Sequence, residues 1–341
     1  MPRSLLLESS LPIVAAPMAG GPTTVALSTA VGKAGGFPFL AGGYKTPDAL
    51  ADEIGRMRAT GGAFGVNVFV SASDDLSSEA YLAYAMRLQP EADRYGLQLA
   101  MSPVRDEDFW TAKLDLLLAD PVPAVSFTFG LPARRDIHAL RGVGSRVLAS
   151  VTTPTEARAA EEAGVDGLIV QGYGAGGHSA TFAPDRQIAA IPLPELVRRV
   201  IAGSSLPVVA AGGVDGPDSV RDLVQAGAEA VAVGTLFLRA QESGASQVHK
   251  DALVAPRFSE TVLTKAFTGR PARALRNSFI SRHEADAPLG YPELHHLTRP
   301  IRQAAARAGD PENLHLWAGT GYRAASDRPV AEIVRSLVQG L

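Results

Sequence analysis

The sequence predicts a single (β/α)8 TIM barrel carrying a helical C-terminal cap, and three observations point there. Eight short apolar runs of β type alternate with Ala-rich stretches of helix length. The runs are apolar on both faces, as parallel strands covered by helices must be. Several of them end in glycine-rich segments, at the strand ends where barrels build their active sites.

The runs are Pro12–Ala16, Phe37–Ala41, Ala63–Val70, Ala124–Thr128, Arg146–Val151, Gly167–Gln171, Pro207–Ala211 and Ala230–Gly234. Part of the pattern repeats. Ala163–Val170 (AGVDGLIV) recurs as Ala226–Val233 (AGAEAVAV), and Ala34-Gly35-Gly36-Phe37 is a looser copy. The glycine in each copy suits a left-handed residue that ends a helix before a tight turn into a strand. Thr46-Pro47-Asp48 and Thr153-Pro154-Thr155-Glu156 mark helix starts, with Pro at the first helical position behind a Thr cap. Two stretches fit no simple unit. Asp74–Met101, polar and then helical, reads as an insertion after the third strand, and residues 241–325 read as a cap. The expected organisation is therefore one domain: a barrel core over 1–240, the cap over 241–325, and a closing segment 326–341 with a helix at Val330–Val338.

Composition narrows the function. The chain has 341 residues, 46% hydrophobic and 20% charged, which suits a protein with a sizeable core. A net charge of −3 without a basic run lacks the footprint of a nucleic-acid binder and favours a small-molecule partner. The absence of cysteine excludes disulfides, thiolate nucleophiles and thiolate-held clusters, so redox chemistry would need a bound cofactor. Met1–Leu7 hints at a secretory signal, but Glu8-Ser9-Ser10 interrupts it. No stretch approaches the roughly 20 uninterrupted apolar residues of a membrane span. A cytoplasmic protein is the expectation; oligomeric state stays open, a homodimer included.

The strand ends carry the chemistry. The first run leads into Pro17-Met18-Ala19-Gly20-Gly21, the third contains Asn67, and the sixth leads from Gln171 through Gly172-Tyr173-Gly174-Ala175-Gly176-Gly177 to His178. The seventh ends in Gly212-Gly213 and the eighth in Gly234-Thr235. Such loops let backbone N–H groups converge on an anion, and the last two occupy the usual phosphate position of barrels. Gly172–Gly177 formally satisfies the dinucleotide fingerprint G-x-G-x-x-G, but His178–Pro184 is not helix-like, so that reading is rejected. His178 falls on the loop after the sixth strand. An imidazole ordinarily titrates near neutrality, so a histidine here is expected to suit a base, or as a cation a stabiliser of a bound anion. His295, His296 and His315 lack metal-ligand spacing and are expected on solvated or helix-surface positions, and no metal site is expected. Tyr44, Lys45, Trp317 and Tyr322 are left without a role.

Taken in order, these motifs resemble the nitronate monooxygenase family, formerly called 2-nitropropane dioxygenases, within a wider group of FMN barrels. The resemblance runs from Pro12–Gly21, through Gly65–Phe69 and Val125–Gly130, to Ala210–Val214 and Leu316–Gly319, and is strongest at Gln171-Gly172-x-x-Ala175-Gly176-Gly177-His178. It implies FMN as cofactor. Ala16, Pro17 and Met18 would line the flavin ring, and Asn67 and Gln171 would hydrogen-bond ring or ribityl atoms. Gly177, Gly212, Gly213, Gly234 and Thr235 would cradle the phosphate, and His178 would be the catalytic residue. The sequence departs from the family pattern at Gly174, where an acidic residue is usual, and at Ser179-Ala180, where Arg-Gly is frequent. Those departures bear on substrate preference more than on the cofactor. The implied activity is oxidation of alkyl nitronates, such as propionate 3-nitronate, with O2 to a carbonyl compound and nitrite. A flavin-dependent enoyl-acyl-carrier-protein reductase using NAD(P)H, and a catalytically silent FMN-binding module, are the alternatives.

Overall fold

The computed structural model describes residues 6–70 and 76–341. The first part of the Met1–Leu7 signal-like stretch and the start of the Asp74–Met101 insertion lie outside them. Strands β1 (Ile13–Ala15), β2 (Phe37–Ala41), β3 (Gly65–Phe69), β4 (Ala124–Thr128), β5 (Arg146–Val151) and β6 (Gly167–Gln171) are followed by a two-residue strand β7 (Gly177–His178), then β8 (Val208–Ala211) and β9 (Ala230–Val233). All except β7 pair in parallel into a closed barrel, with β9 returning to β1 through Ile13 opposite Val231.

Both strand faces are buried, for separate reasons. Val14, Phe37, Phe39, Ala124, Leu148, Ile169, Val209 and Ala230 fill the barrel interior, with Leu6 and Leu7 packed among them. Their neighbours along the strands, such as Val66, Val68, Leu168, Val170, Val231 and Val233, pack outward against the helices. Small residues make room for large ones inside. A Cβ on Gly65 would stand 2.2 Å from the Phe39 ring. The helix starts follow the predicted chemistry: Thr46 and Thr153 cap with their hydroxyls, and Pro47 and Pro154 open the helices Pro47–Arg58 and Pro154–Ala163. Gly164, at φ +94°, ends the second of these.

Beyond β9 the chain is chiefly helical, and it adds something the residue pattern does not show. An antiparallel hairpin of β10 (Thr261–Thr264) and β11 (Ala272–Leu275) takes β7 as its third strand, with Ala272 opposite His178 and Arg273 opposite Gly177. His178 is therefore on a short strand shared with this sheet, not on a free loop. The helix Ser78–Asp93 of the insertion packs its Tyr81, Tyr84 and Leu88 into the same second core as Phe267, Phe279 and Leu294. The last helix, Val330–Leu337, packs against the helices Val25–Lys33 and Pro217–Gln225 and so completes the outer ring. Among the described residues no helix is long and apolar enough to cross a membrane.

Candidate active site

A cavity of about 580 Å³ opens at the C-terminal ends of the barrel strands, beneath the helical segment. Ala16, Pro17, Met18, Asn67, Gln171, Gly177, His178, Gly212, Gly213, Gly234 and Thr235 all line it. They arrive from five strand ends, which no stretch of sequence brings together.

Each is held by local chemistry. Ala16 extends the barrel ladder by donating to Val233 O at 2.9 Å, and the Met18 N–H is capped by Thr23 Oγ1 at 2.8 Å. Asn67 is almost wholly buried, and its Oδ1 accepts from Ser126 Oγ and Thr128 Oγ1, both at 2.9 Å. Two hydroxyl donors on one oxygen settle the orientation of the amide and leave its Nδ2 as the donor for a cavity ligand. Gln171 is engaged otherwise. Its Nε2 donates to His178 O at 3.1 Å and its Oε1 accepts from Ala180 N at 2.8 Å, so the amide braces the strand that carries the histidine.

The glycine loops meet at one end. Gly212 and Gly213 have φ of +111° and +73°, in the left-handed region. A Cβ on Gly212 would stand 2.8 Å from Ala175 Cβ, whereas one on Gly177, at φ +73°, would project into open space. Gly234 differs. Its φ of −118° is open to any residue, and the nearest atom to a Cβ there is Ala16 Cβ at 3.4 Å. Thr235 Oγ1 accepts from Gly319 N at 2.9 Å, which ties the Leu316–Gly319 motif to the same loops. The space that a side chain on Gly177 would enter is open cavity, which leaves room for a ligand beside its backbone.

His178 sits among aromatic rings. Phe129, Tyr291 and Trp317 surround it with centroids at 5.6, 5.5 and 5.4 Å, and its Nε2 lies 2.9 Å from Thr268 Oγ1. Burial pushes the imidazole down to about 3, with Arg270 and Arg302 acting in the same direction. The ring is neutral at pH 7 in the free protein. Two other lining residues, Tyr44 and Phe129, hold φ of +65° and +79°, a conformation non-glycine residues adopt at a cost and that concentrates at functional sites.

The cap histidines require a correction. His295, expected on a surface, is buried, lines the cavity and stacks on Tyr44 with centroids 4.2 Å apart and planes 5° apart. His315 also lines the cavity, and burial followed by the Arg302 charge holds both imidazoles well below the ordinary range. For His295 the reason is that the helix Glu293–Ala308 turns this face inward; His315 follows that helix, beside Trp317. His296 alone stays nearer the rim, 2.5 Å from Asp106. Of the unassigned residues, Tyr44 and Trp317 line the cavity. The Tyr44 hydroxyl meets Tyr291 Oη at 3.1 Å, and burial pushes it up to about 12. Tyr322 is buried in a cluster with Leu253, Phe258 and Leu316 and donates to Phe258 O at 2.9 Å, and Lys45 pairs with Glu53 at 2.5 Å.

Sequence reasoning missed Arg302. It is buried and lines the cavity, donating from Nε to Thr298 Oγ1 at 3.1 Å and from Nη2 to His295 O at 2.7 Å. Among the described residues no carboxylate lies within ion-pair distance, and burial lowers the guanidinium to about 10. The signal was a helical face: His295, Arg299, Arg302, Gln303 and Ala306 recur at helix spacing and all line the cavity.

The chain matches known proteins over nearly its full length. The nitronate monooxygenase family model matches residues 3–340. A probable nitronate monooxygenase of Staphylococcus aureus (strain Newman) is 35% identical over 338 residues, covering 98% of this chain and 95% of that protein. The solved structure of nitroalkane oxidase from Streptomyces ansochromogenes superposes with a TM-score of 0.92 at 47% identity, covering 96% of this chain and 95% of that one. FabK from Thermotoga maritima superposes with a TM-score of 0.75 at 27% identity, covering 98% and 93%.

Proposed function

The chain belongs to the nitronate monooxygenase family, and from that premise we propose that it binds FMN and uses O2 to oxidise alkyl nitronates, propionate 3-nitronate among them, to carbonyl compounds and nitrite. The observation that carries this reading is electrostatic. The cavity holds a buried guanidinium, Arg302, with no carboxylate partner among the described residues, beside the imidazoles of His178, His295 and His315. A buried cation without a counter-ion favours an anionic ligand, and a nitronate is an anion.

When bound, FMN would supply the redox chemistry by taking electrons from the substrate and passing them to O2. The protein's part is binding and orientation. Gly177, Gly212, Gly213, Gly234 and Thr235 would hold the phosphate, Ala16, Pro17 and Met18 would lie along the ring, and Asn67 would donate to it from Nδ2, with Gln171 close by. His178, neutral and at the cavity wall, would take the α-proton when the substrate arrives as a nitroalkane. The aromatic rings of Phe129, Tyr291 and Trp317 would hold the imidazole in place. The same reading treats residues 241–325 as a cap inserted between the barrel, 1–240, and its closing segment, 326–341.

The test is anaerobic. An alkyl nitronate added to FMN-loaded protein should bleach the flavin without NADH, and admitting O2 should restore the colour and release nitrite. Bleaching by NADH with turnover of an enoyl thioester would instead establish the reductase alternative. No bleaching by either would leave a silent flavin-binding protein.

A further inference from the structure

One neighbour of His178 decides which of its nitrogens is free. Thr268 lies in the turn between β10 and β11 and is 1% exposed. Its Oγ1 stands 2.9 Å from His178 Nε2 and 3.3 Å from the main-chain carbonyl of Arg270. A hydroxyl has one proton to give and can accept at its oxygen, whereas a carbonyl can only accept. A Thr268 proton given to Arg270 O leaves the oxygen to receive a hydrogen from the imidazole. In a neutral ring with its hydrogen on Nε2, Nδ1 carries the lone pair. That Nδ1 has no hydrogen-bond partner among the described residues, and His178 lines the cavity. The three aromatic rings around the imidazole also restrain it against flipping.

We propose that Thr268 is a positioning residue that fixes His178 as the Nε2–H tautomer and thereby makes Nδ1 the atom that takes the α-proton of a neutral nitroalkane. The identity of the substrate rests on the functional reading above; the tautomer does not. In the step, the Cα–H bond breaks, its electron pair moves into the C–N bond as the nitro oxygens take the charge, and the proton forms the Nδ1–H bond. The imidazolium so formed keeps its Nε2–H on Thr268 Oγ1. Loss of the Nδ1 proton to solvent restores the base.

Nitrogen-15 NMR of FMN-loaded protein carrying labelled histidine tests the tautomer directly, with the His178 signals assigned by their loss in His178→Asn. A pyridine-type Nδ1 and a pyrrole-type Nε2 are expected in the parent protein and in Thr268→Ser, and a mixture in the isosteric Thr268→Val. Kinetics test the consequence. Thr268→Val should lower turnover of a neutral nitroalkane by up to about tenfold, the scale of one neutral hydrogen bond. It should leave a preformed nitronate, which has no α-proton to lose, unaffected, and Thr268→Ser should restore the loss. A protonated Nδ1 in the parent protein, or an equal fall with both substrates, would overturn the proposal. If the parent protein oxidises neither substrate, the functional reading fails, and the NMR still decides the tautomer.

Discussion

Gln171 holds His178 by the main chain: its Nε2 donates to the histidine carbonyl at 3.1 Å while its Oε1 receives the Ala180 N–H at 2.8 Å. One amide at the end of a barrel strand thus fixes both sides of Ser179. Gln171→Leu keeps the volume and removes both bonds, leaving the N–H of buried Ala180 unpaired. A loss of about 1–3 kcal/mol in denaturant unfolding is expected, the usual cost of an unsatisfied buried group. An unchanged midpoint and slope would show that the brace carries no weight.

His178→Asn should keep the fold and the flavin, since the backbone pairing with Ala272 does not depend on the side chain. Turnover of a neutral nitroalkane should fall by roughly 10²-fold or more, the scale of a positioned acid–base group. With preformed nitronate the loss should be smaller. Equal rates for parent and variant on both substrates would remove the histidine from the chemistry.

Two of the glycines proposed to hold the phosphate should respond differently. Gly212→Val forces a β-branched residue to φ +111° and drives its Cβ against Ala175, so the variant should lose flavin on gel filtration. Gly234→Ala meets no comparable obstacle, with 3.4 Å to Ala16 Cβ, and should keep most of it. The absorbance ratio of flavin to protein after the column gives the answer.

Arg302→Gln removes the unpaired cation while leaving a side chain able to reach Thr298. KM for a nitronate should rise about ten- to hundredfold, matching the loss of a charge-assisted hydrogen bond, with flavin content unchanged. A parent-like KM would mean that the anion sits elsewhere.

Acid should unfold the protein early. His178 and His249 are lowered by burial to about 3 and about 4, and His295 and His315 are lowered too. The unfolded chain protonates its histidines near pH 6.5, before the folded one does. The stability they contribute is therefore complete above that pH and drains away as pH falls toward 3–4. Denaturant midpoints taken from pH 7.5 down to pH 4.5 should decline steadily, and a flat profile would contradict the burial of these rings.

Much of the barrel was legible because its strands obey a local rule. Phe37–Ala41, Ala124–Thr128, Arg146–Val151 and Gly167–Gln171 appear residue for residue, since a strand buried on both faces announces itself by composition alone. His178 was legible as a polar residue beyond a strand end, and Asn67 as a polar residue within an apolar run. The orientation of the Asn67 amide was not, because Ser126 and Thr128 fix it from the neighbouring strand. The β10–β11 hairpin escaped notice because four-residue strands containing Thr and Arg lack a clear alternation, and their third partner is distant in the chain. Arg302 and His295 escaped because helical spacing reveals that a face exists and says nothing of what it faces.

The pairing of β7 with β11 also bears on how molecules reach the cavity. A cover that swung open as a rigid body would have to tear the backbone of His178 away from Ala272, dismantling the reactive geometry with every cycle. The hairpin is a wall, not a door. Exposed Arg299, one turn from buried Arg302 on the same helix face, also lines the cavity. An incoming anion would meet first a hydrated guanidinium and then a dehydrated one, so the charge that selects the ligand also draws it inward.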